Sequence, residues 1–443
     1  MIRYDSYKNS GVEWIGEIPN HWGLCKIKFL LKKRNKKNNP VITENILSLS
    51  IKKGVTLQSE KPTGGNKPKD DLSKYNIVQK NDIVINSMNV IVGSVGLSKY
   101  FGLVSPVYYI LYSNNENLEI RYYDFLFSVK QFQKSLIGEG NGIMILESSN
   151  GKLNTIRMRI PYEKLGNKEF PVPPLSEQQQ IVEFLDTKTE LIDSLIEKTE
   201  RKIELLKEKR TSLINETVTK GLNPNIEMKD SGVEWIGEIP IHWGKSKFKF
   251  HSEIVTGNTP SKKKESIYYT DDKSGFPWVK PTRLDQGFDF VFYSDQYLTE
   301  KGKNEIRVIP KNSIMVCSIG NTLGKFGISG CEMSTNQQIN SVICDEDTLF
   351  HRFCMFFISV LTEDLIKWTN FVTLPIFTKS DFEDTEIIIP PIFEQQQIVK
   401  YLDEQTGLID KTISNEEKRI ELLKEYRQSL ISEVVNGKRK VTN

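Results

Sequence analysis

The chain has 443 residues, of which 38% are hydrophobic, 26% charged and 10% aromatic, which excludes a collagen-like, low-complexity or disordered protein. The net charge of +3 is too small to indicate nucleic-acid binding by itself, so any basic surface must be local. No apolar run approaches the ~20 residues that span a bilayer and the start lacks an apolar signal core, so we expect a cytoplasmic protein without a membrane partner.

Two segments of the chain occur twice. Residues 8–23 read KNSGVEWIGEIPNHWG and residues 229–244 read KDSGVEWIGEIPIHWG, with 14 of 16 positions identical. Residues 173–218 and 390–435 are identical at 28 of 46 positions. The chain is therefore a tandem duplication. We call these repeated segments the copied frames.

The first copied frame contains GVEWIGEIP and combines large aromatic residues with turn residues. Such a composition predicts a packing role, and a histidine beside a tryptophan is more often structural than catalytic. The residues concerned are Trp14, Pro19, His21 and Trp22, with Trp235, Pro240, His242 and Trp243 in the second copy.

The blocks enclosed by the frames, residues 24–172 and 245–389, have similar lengths but little common sequence. Plain duplication with drift would blur frames and blocks alike, so the contrast favours blocks that were free to diverge. Both alternate short β-branched and aromatic runs with Gly, Asn and Pro, which predicts strands. Helical patches at 123–136 and 349–368 make each block mixed α and β. The segments QKNDIVINS from Gln79 and PKNSIMVCS from Pro310 suggest one fold for both.

Each block carries a local excess of lysine near Asn, Gln and Thr. Lysine neutralises phosphates and amide side chains reach base edges, so these residues are candidates for DNA contact; a solvated charged face is the alternative. The first-block candidates are Lys32, Lys33, Arg34, Asn86 and Asn89. Those of the second block are Lys262, Lys263, Lys264, Lys280, Arg283, Asn321, Lys325, Gln337 and Gln338.

A long helix is predicted after Pro174, because no Gly or Pro follows until Gly221. Its apolar residues follow the 4,3 spacing of a coiled-coil seam, and adding 217 reproduces the seam in the second copy. A helix of roughly 65 to 70 Å cannot stand alone, so each needs a partner. Antiparallel pairing within one chain is expected, with pairing between chains as the alternative. The seam residues are Ile192, Ile196, Ile203, Leu206, Leu213, Ile409, Ile413, Ile420, Leu423 and Leu430.

Catalytic patterns are missing from the sequence. Residues 320–325, GNTLGK, are one residue short of a phosphate loop, and Phe326 replaces its Ser or Thr. GEGNG at Gly138 lacks the strand and helix of a dinucleotide site, and neither HExxH nor GxSxG occurs. We therefore expect no catalysis, cofactor or metal site in this chain.

The copied frames resemble those of the specificity subunits of type I restriction-modification systems. The resemblance rests on GVEWIGEIP at Gly11 and Gly232, PPLSEQQQIVEFLD at Pro173, PPIFEQQQIVKYLD at Pro390, and the helix ends RTSLINETVTKGL and RQSLISEVVNGK. It covers nearly the whole chain. It implies an α+β protein with two mixed α/β target recognition domains, separated by two long helices that form an antiparallel coiled coil with a pseudo-twofold internal repeat.

The resemblance places target recognition domains at residues 1–172 and 222–389 and the conserved helices at 173–221 and 390–443. It implies an asymmetric, bipartite double-stranded DNA target, with one half-site per domain and the helices as spacer and docking surface. The partners implied are modification subunits, expected to be two, and a restriction and translocase subunit. S-adenosylmethionine, ATP and Mg belong to those partners. An assembly adaptor without DNA readout and a self-sufficient restriction enzyme are the competing hypotheses.

Overall fold

The computed structural model describes residues 2–51, 53–60, 71–140, 146–147, 153–154, 159–261, 265–284, 286–369 and 376–441. Up to residue 172 the strands are β1 (Tyr7–Asn9), β2 (Glu17–Pro19), β3 (Gly23–Lys26), β4 (Lys32–Lys33), β5 (Leu47–Ser50), β6 (Gly54–Leu57), β7 (Asn76–Val78), β8 (Ile83–Asn86), β9 (Val95–Leu97), β10 (Gly102–Val104), β11 (Tyr108–Tyr112), β12 (Leu146–Glu147), β13 (Leu153–Asn154) and β14 (Glu169–Val172). The helices of this part are α1 (Ile27–Leu30), α2 (Ile120–Phe127), α3 (Lys130–Ser135) and α4 (Tyr162–Gly166), followed by α5 (Leu175–Lys220).

The second half follows a similar plan. Its strands are β15 (Met228–Asp230), β16 (Glu238–Pro240), β17 (Gly244–Lys247), β18 (Ser252–Thr256), β19 (Tyr269–Thr270), β20 (Phe276–Val279), β21 (Gln286–Val291), β22 (Gln296–Leu298), β23 (Val308–Ile309), β24 (Ile314–Cys317), β25 (Phe326–Ser329), β26 (Met333–Thr335), β27 (Ile339–Cys344) and β28 (Glu386–Ile389). Its helices are α6 (Glu265–Tyr268), α7 (Glu300–Lys303), α8 (His351–Thr369), α9 (Lys379–Asp384) and α10 (Ile392–Val435). The predicted α+β class is confirmed.

The contacts divide the chain into two compact units. Unit 1 comprises Met1–Glu200 and Lys418–Asn443, and unit 2 comprises Arg201–Glu417. This grouping differs from boundaries placed at 172, 221 and 389, because each long helix contributes one half to each unit. Each half of a long helix buries its apolar stripe against the sheet and helix nearest to it. The two halves of one helix therefore belong to different units.

The long helices begin where the sequence predicts, and α5 also ends there, whereas α10 ends at Val435, before the predicted bound at 443. Helix α5 follows the Pro173–Pro174 pair and stops at Gly221, whose φ of 75° is the left-handed conformation that glycine adopts at helix ends. Helix α10 stops two residues before Gly437, with a φ of 72°. Among the described residues no helix combines the length and apolar composition needed to cross a bilayer.

Helices α5 and α10 pair within the same chain. In unit 1, the Arg427 guanidinium donates to both carboxylate oxygens of Asp193 at 2.8 and 3.1 Å. In unit 2, Arg210 makes the equivalent pair with Asp410 at 2.9 and 3.1 Å, and Lys202 bonds to Glu416 at 2.6 Å. Since residue numbers in unit 2 rise along one helix as they fall along the other, the pairing is antiparallel. This confirms the predicted coiled coil and shows that each long helix pairs with the other long helix of the same chain.

The predicted seam is the inner face of these helices. All of its ten residues are buried or half-buried, whereas flanking residues such as Glu197, Glu204 and Lys411 are exposed. Arg210 and Arg427 also lie on the seam, where each guanidinium reaches the aspartate of the other helix. These two arginines are therefore sites of cross-helix pairing.

One predicted helix is broken in two. The sequence predicts a helix over 123–136, but α2 and α3 are separated by Ser128 and Val129, and Val129 has an extended backbone. Nearly every large side chain on both sides of the break is buried in the same core. A continuous helix would expose some of them, since a helix buries only one stripe. The break lets both short helices face the sheet.

Candidate nucleic-acid interface

The two divergent blocks contain the same arrangement of four strands. Their order is β4-β11-β8-β9 in unit 1 and β18-β27-β24-β25 in unit 2. The turns before β8 and β24 hold Asn81 and Asn312, with φ of 67° and 72°. This left-handed conformation suits asparagine better than most residues. The common fold expected from QKNDIVINS and PKNSIMVCS is thus confirmed, and Asn is the physical reason for their likeness.

Four connecting segments of unit 2 meet beside this sheet, and we call residues 257–260, 279–283, 318–325 and 335–338 the unit-2 loop face. Asn258 N donates to Thr335 O and Asn336 N donates to Val279 O, both at 3.0 Å. Ser318 N donates to Gln338 O at 2.8 Å. These bonds hold segments that are up to 81 residues apart in sequence in one surface, which no local pattern could predict.

Close packing at Gly257 makes the loop face possible. A Cβ atom there would lie 2.2 Å from the backbone oxygen of Thr335 and 2.4 Å from that of Asn336. Backbone atoms cannot move aside as a flexible side chain can. Any other residue at 257 would therefore separate the first segment of the loop face from the last.

The unit-2 loop face has a positive charge because none of its residues is acidic, whereas Lys280, Arg283 and Lys325 lie on it. Beneath it, burial raises the pKa of the Cys317 thiol to about 12, although the Thr322 hydroxyl and Lys325 lower it. The thiol is therefore neutral at physiological pH. The local charge is that expected of a surface that approaches phosphates.

Two cations of this face are stacked on aromatic rings. The Arg283 guanidinium lies 3.9 Å from the ring centroid of Tyr293, and the Lys280 ammonium lies 5.1 Å from that of Trp278. Tyr293 is largely exposed. Stacking of this kind orients a cation without neutralising it.

The loop face also presents exposed amide side chains, the residue type that can reach base edges. Asn321, Gln337 and Gln338 are exposed, whereas the amide of Asn258 bonds to the backbone of Glu305 and Arg307 at 2.9 and 2.8 Å. The Thr259 hydroxyl donates to Gln337 Oε1. The structure thus brings together six of the predicted residues: Lys280, Arg283, Asn321, Lys325, Gln337 and Gln338.

Unit 1 has an equivalent surface, the unit-1 loop face, formed by residues 35–38, 86–94 and 104–107. Ser87 Oγ donates to Val107 O at 2.6 Å, and Asn76 connects Lys37 to Tyr108 O through bonds of 2.7 and 3.1 Å. It has no acidic residue either. Asn86 and Asn89, both predicted, lie in its second segment.

The remaining first-block candidates lie apart from this face or are engaged elsewhere. Arg34 makes a bidentate pair with Asp82, with both bonds at 2.8 Å, and Asp82 is 2% exposed. The Lys33 ammonium lies 5.1 Å from the rings of both Tyr109 and Tyr162. Lys32 is exposed on β4. The second-block candidates Lys262, Lys263 and Lys264 lie outside the described residues.

The copied frames bind each other, a role that the sequence did not reveal. Glu177 accepts hydrogen bonds from Trp22 Nε1 at 3.0 Å and pairs with His21 Nε2 at 2.6 Å. Glu394 makes the same contacts with Trp243 and His242 at 3.0 and 2.7 Å. The sequence signal that could have revealed this contact is that HW and EQQQ are identical in both copies. The expected packing role is correct, with this carboxylate as its polar anchor.

The chain matches a family model described as the type I restriction modification DNA specificity domain, over residues 15–205 and again over 240–425. It is 23% identical over 463 residues to the putative type I restriction enzyme MjaX specificity subunit of Methanocaldococcus jannaschii, covering 100% of this chain and 99% of that protein. It is 27% identical over 286 residues to the EcoR124I/EcoR124II specificity subunit of Escherichia coli, covering 60% and 63%.

Two solved structures have the same fold. One comes from work on complex assembly and conformational transition of the type I R-M system, with a TM-score of 0.70 and 14% identity over 94% of this chain and 98% of that one. The other is the HsdS subunit of Thermoanaerobacter tengcongensis, with a TM-score of 0.54 and 14% identity over 95% and 98%. At such low identity, the likeness concerns the fold alone.

Proposed function

Since the chain belongs to the family of type I restriction-modification DNA specificity proteins, we propose that each of its two loop faces reads one half of a bipartite DNA target. As a specificity subunit the chain is non-catalytic and recognises DNA within a complex. Methyl transfer, with S-adenosylmethionine, and ATP- and Mg-dependent restriction belong to the partner subunits in this proposal.

The observation that carries the proposal is an acid-free loop face at the same place in both units, built from different side chains. Asn86 and Cys317 occupy the same position in the segments QKNDIVINS and PKNSIMVCS. The strand register places Tyr108 opposite Asn86 and Ile339 opposite Cys317, so Tyr108 and Ile339 are equivalent. Pro106 and Val107 therefore occupy the positions of Gln337 and Gln338. Surfaces with the same frame and unlike side chains should contact DNA alike and read different sequences.

Helices α5 and α10 act as the spacer in this proposal. Their 46 and 44 residues have a rise of about 1.5 Å each. The Arg427–Asp193 ion pair joins the two helices in unit 1 and the Arg210–Asp410 pair joins them in unit 2, and we propose that the length of the helices sets the gap between half-sites. Half-sites read from one side of the duplex are about one helical turn, roughly 34 Å, apart.

The first test is the DNA motif methylated when this chain is co-expressed with its modification subunit. We expect two unlike specified halves around an unspecified gap, because the two loop faces differ. Replacing Asn321 by Ala should change the unit-2 half alone, whereas replacing Asn89 should change the other half alone. An unbroken or palindromic motif would contradict the proposal. DNA binding that does not weaken with rising salt would favour the adaptor hypothesis instead.

Exposed leucines at equivalent positions of the helices suggest where partners dock. Leu191 and Leu422 are 60% and 65% exposed in unit 1, and their counterparts Leu408 and Leu205 are 61% and 49% exposed in unit 2. Their recurrence at the same positions of both copies is what supports a binding surface, since single exposed apolar residues are common on proteins. Two equivalent pairs would bind two copies of one subunit, so we propose two modification subunits per chain.

Replacing Leu191 and Leu422 together by Glu should remove one modification subunit from the complex, since a charge at the centre of an apolar contact disfavours binding. The matched replacement of Leu408 and Leu205 should remove the other, and the fourfold variant both. Native mass spectrometry of the complex counts the subunits. Glu at the exposed positions Thr187 and Ser212 serves as control. Unchanged stoichiometry in the fourfold variant would rule out this surface.

A further inference from the structure

Gln338 lies on the unit-2 loop face with its amide held in one orientation. Its backbone N–H donates to Asn336 Oδ1 at 3.1 Å, and Asn336 Nδ2 donates to Gln338 Oε1 at 3.0 Å. Asn336 is buried, and its own backbone N–H bonds to Val279 O at 3.0 Å. A buried, doubly held asparagine thus presents a fixed donor to the exposed glutamine.

The direction of these bonds determines which atom of Gln338 is free. A backbone N–H can only donate, so the atom of Asn336 that it meets must be the oxygen. The other terminal atom of Asn336 is then the NH₂ group, which can only donate. Its partner in Gln338 must therefore be Oε1. Among the residues that the structure describes, no group binds the Gln338 NH₂, which is therefore the free end of the amide.

A glutamine held in this way presents its NH₂ donors outward, while its carbonyl oxygen is turned toward Asn336 and accepts from it. In the major groove, adenine pairs with an amide that both donates to N7 and accepts from N6. Guanine instead presents two acceptors, N7 and O6. Lys280, Arg283 and Lys325 of the same face are also donors without acceptor atoms. The face therefore complements an edge made of acceptors.

We propose that Gln338 reads a guanine in the half-site of unit 2, and that Asn336 is the positioning residue that makes it a donor. This inference rests on the proposed function. The inference does not extend to unit 1, because the residue equivalent to Gln338 there is Val107, which has no hydrogen-bonding side chain. The proposal thus assigns a base preference to one position of one half-site.

The experiment uses the complex with its modification subunits and maps the methylated motif for three variants. Gln338→Val, the residue of unit 1, should lower discrimination at a single G·C pair by roughly 5- to 150-fold and leave the other half unchanged. Gln338→Glu should reverse the preference to C·G, because a carboxylate accepts from cytosine N4. Asn336→Asp should shift it in the same direction, because an aspartate would turn the glutamine amide around.

A second measurement needs no variant. Binding of the wild-type complex to target duplexes in which each guanine in turn is 7-deazaguanine should fall at one guanine of the unit-2 half-site, and Gln338→Val should abolish that sensitivity. A specific motif with no such guanine, or one unchanged by Gln338→Val, would overturn the inference while the proposed function stands. A wild-type complex without any sequence preference would instead overturn the proposed function.

Discussion

Removal of one heptad from each long helix should shorten the unread gap of the methylated motif by about three base pairs. Deleting residues 198–204 and 415–421, which are equivalent in the repeat, removes about 10 Å of helix. A rise of about 3.4 Å per base pair converts this length into the change in gap. Because a heptad is the period of the seam, both helices keep their apolar faces together. Methylation of the original motif should be lost.

The companion variants test whether length alone is responsible. Insertion of one heptad at the same two places should lengthen the gap by the same amount. Deletion of two residues from each helix should disrupt the seam and abolish specific methylation, because a turn of about 200° makes the apolar stripes face apart. Sequencing of methylated DNA reads out all three. A heptad deletion that kept the original gap would show that the helices do not set the spacing.

Replacement of Arg34 by Ala should lower the free energy of unfolding of unit 1 by about 3 to 5 kcal/mol. The guanidinium is bound by both oxygens of Asp82, whose carboxylate is 2% exposed, and it lies 4.2 Å from the ring centroid of Tyr112. Removal of one partner leaves a buried charge uncompensated, which costs far more than the loss of a surface pair. Urea unfolding followed by hydrogen exchange in β8 and β11 measures the change.

This result would separate a structural role of Arg34 from base reading. Arg34→Ala combined with Asp82→Ala should be less damaging than the sum of the single changes, because neither charge is then left alone. The exposed Lys32→Ala should change stability by less than about 0.5 kcal/mol. If Arg34→Ala left stability unchanged and altered only the unit-1 half-site, the residue would return to the reading surface.

Patterns within short stretches of sequence predicted much of this protein. The duplication identified the frames, and the 4,3 spacing with Pro173–Pro174 and Gly221 predicted helices that begin within two residues of α5 and α10 and, for α5, end within one residue. Short β-branched runs in QKNDIVINS and PKNSIMVCS located β8 and β24. These features are local: a helix end, a seam and a strand depend on neighbours in the chain, so the chain order contains the whole signal.

Only the tertiary structure decided which polar side chains are free. From the sequence, Arg34 and Lys280 are equally good candidates for DNA contact, yet one binds a buried aspartate 48 residues away and the other lies on an acid-free loop face. Glu177 gains its role from Trp22, 155 residues earlier. A single polar group satisfies its hydrogen bonds with whatever the topology brings near, and that partner leaves no period in the sequence. The sequence by itself therefore determined the family, the repeat and the helices, whereas the proposed reading surface could be located only from long-range packing.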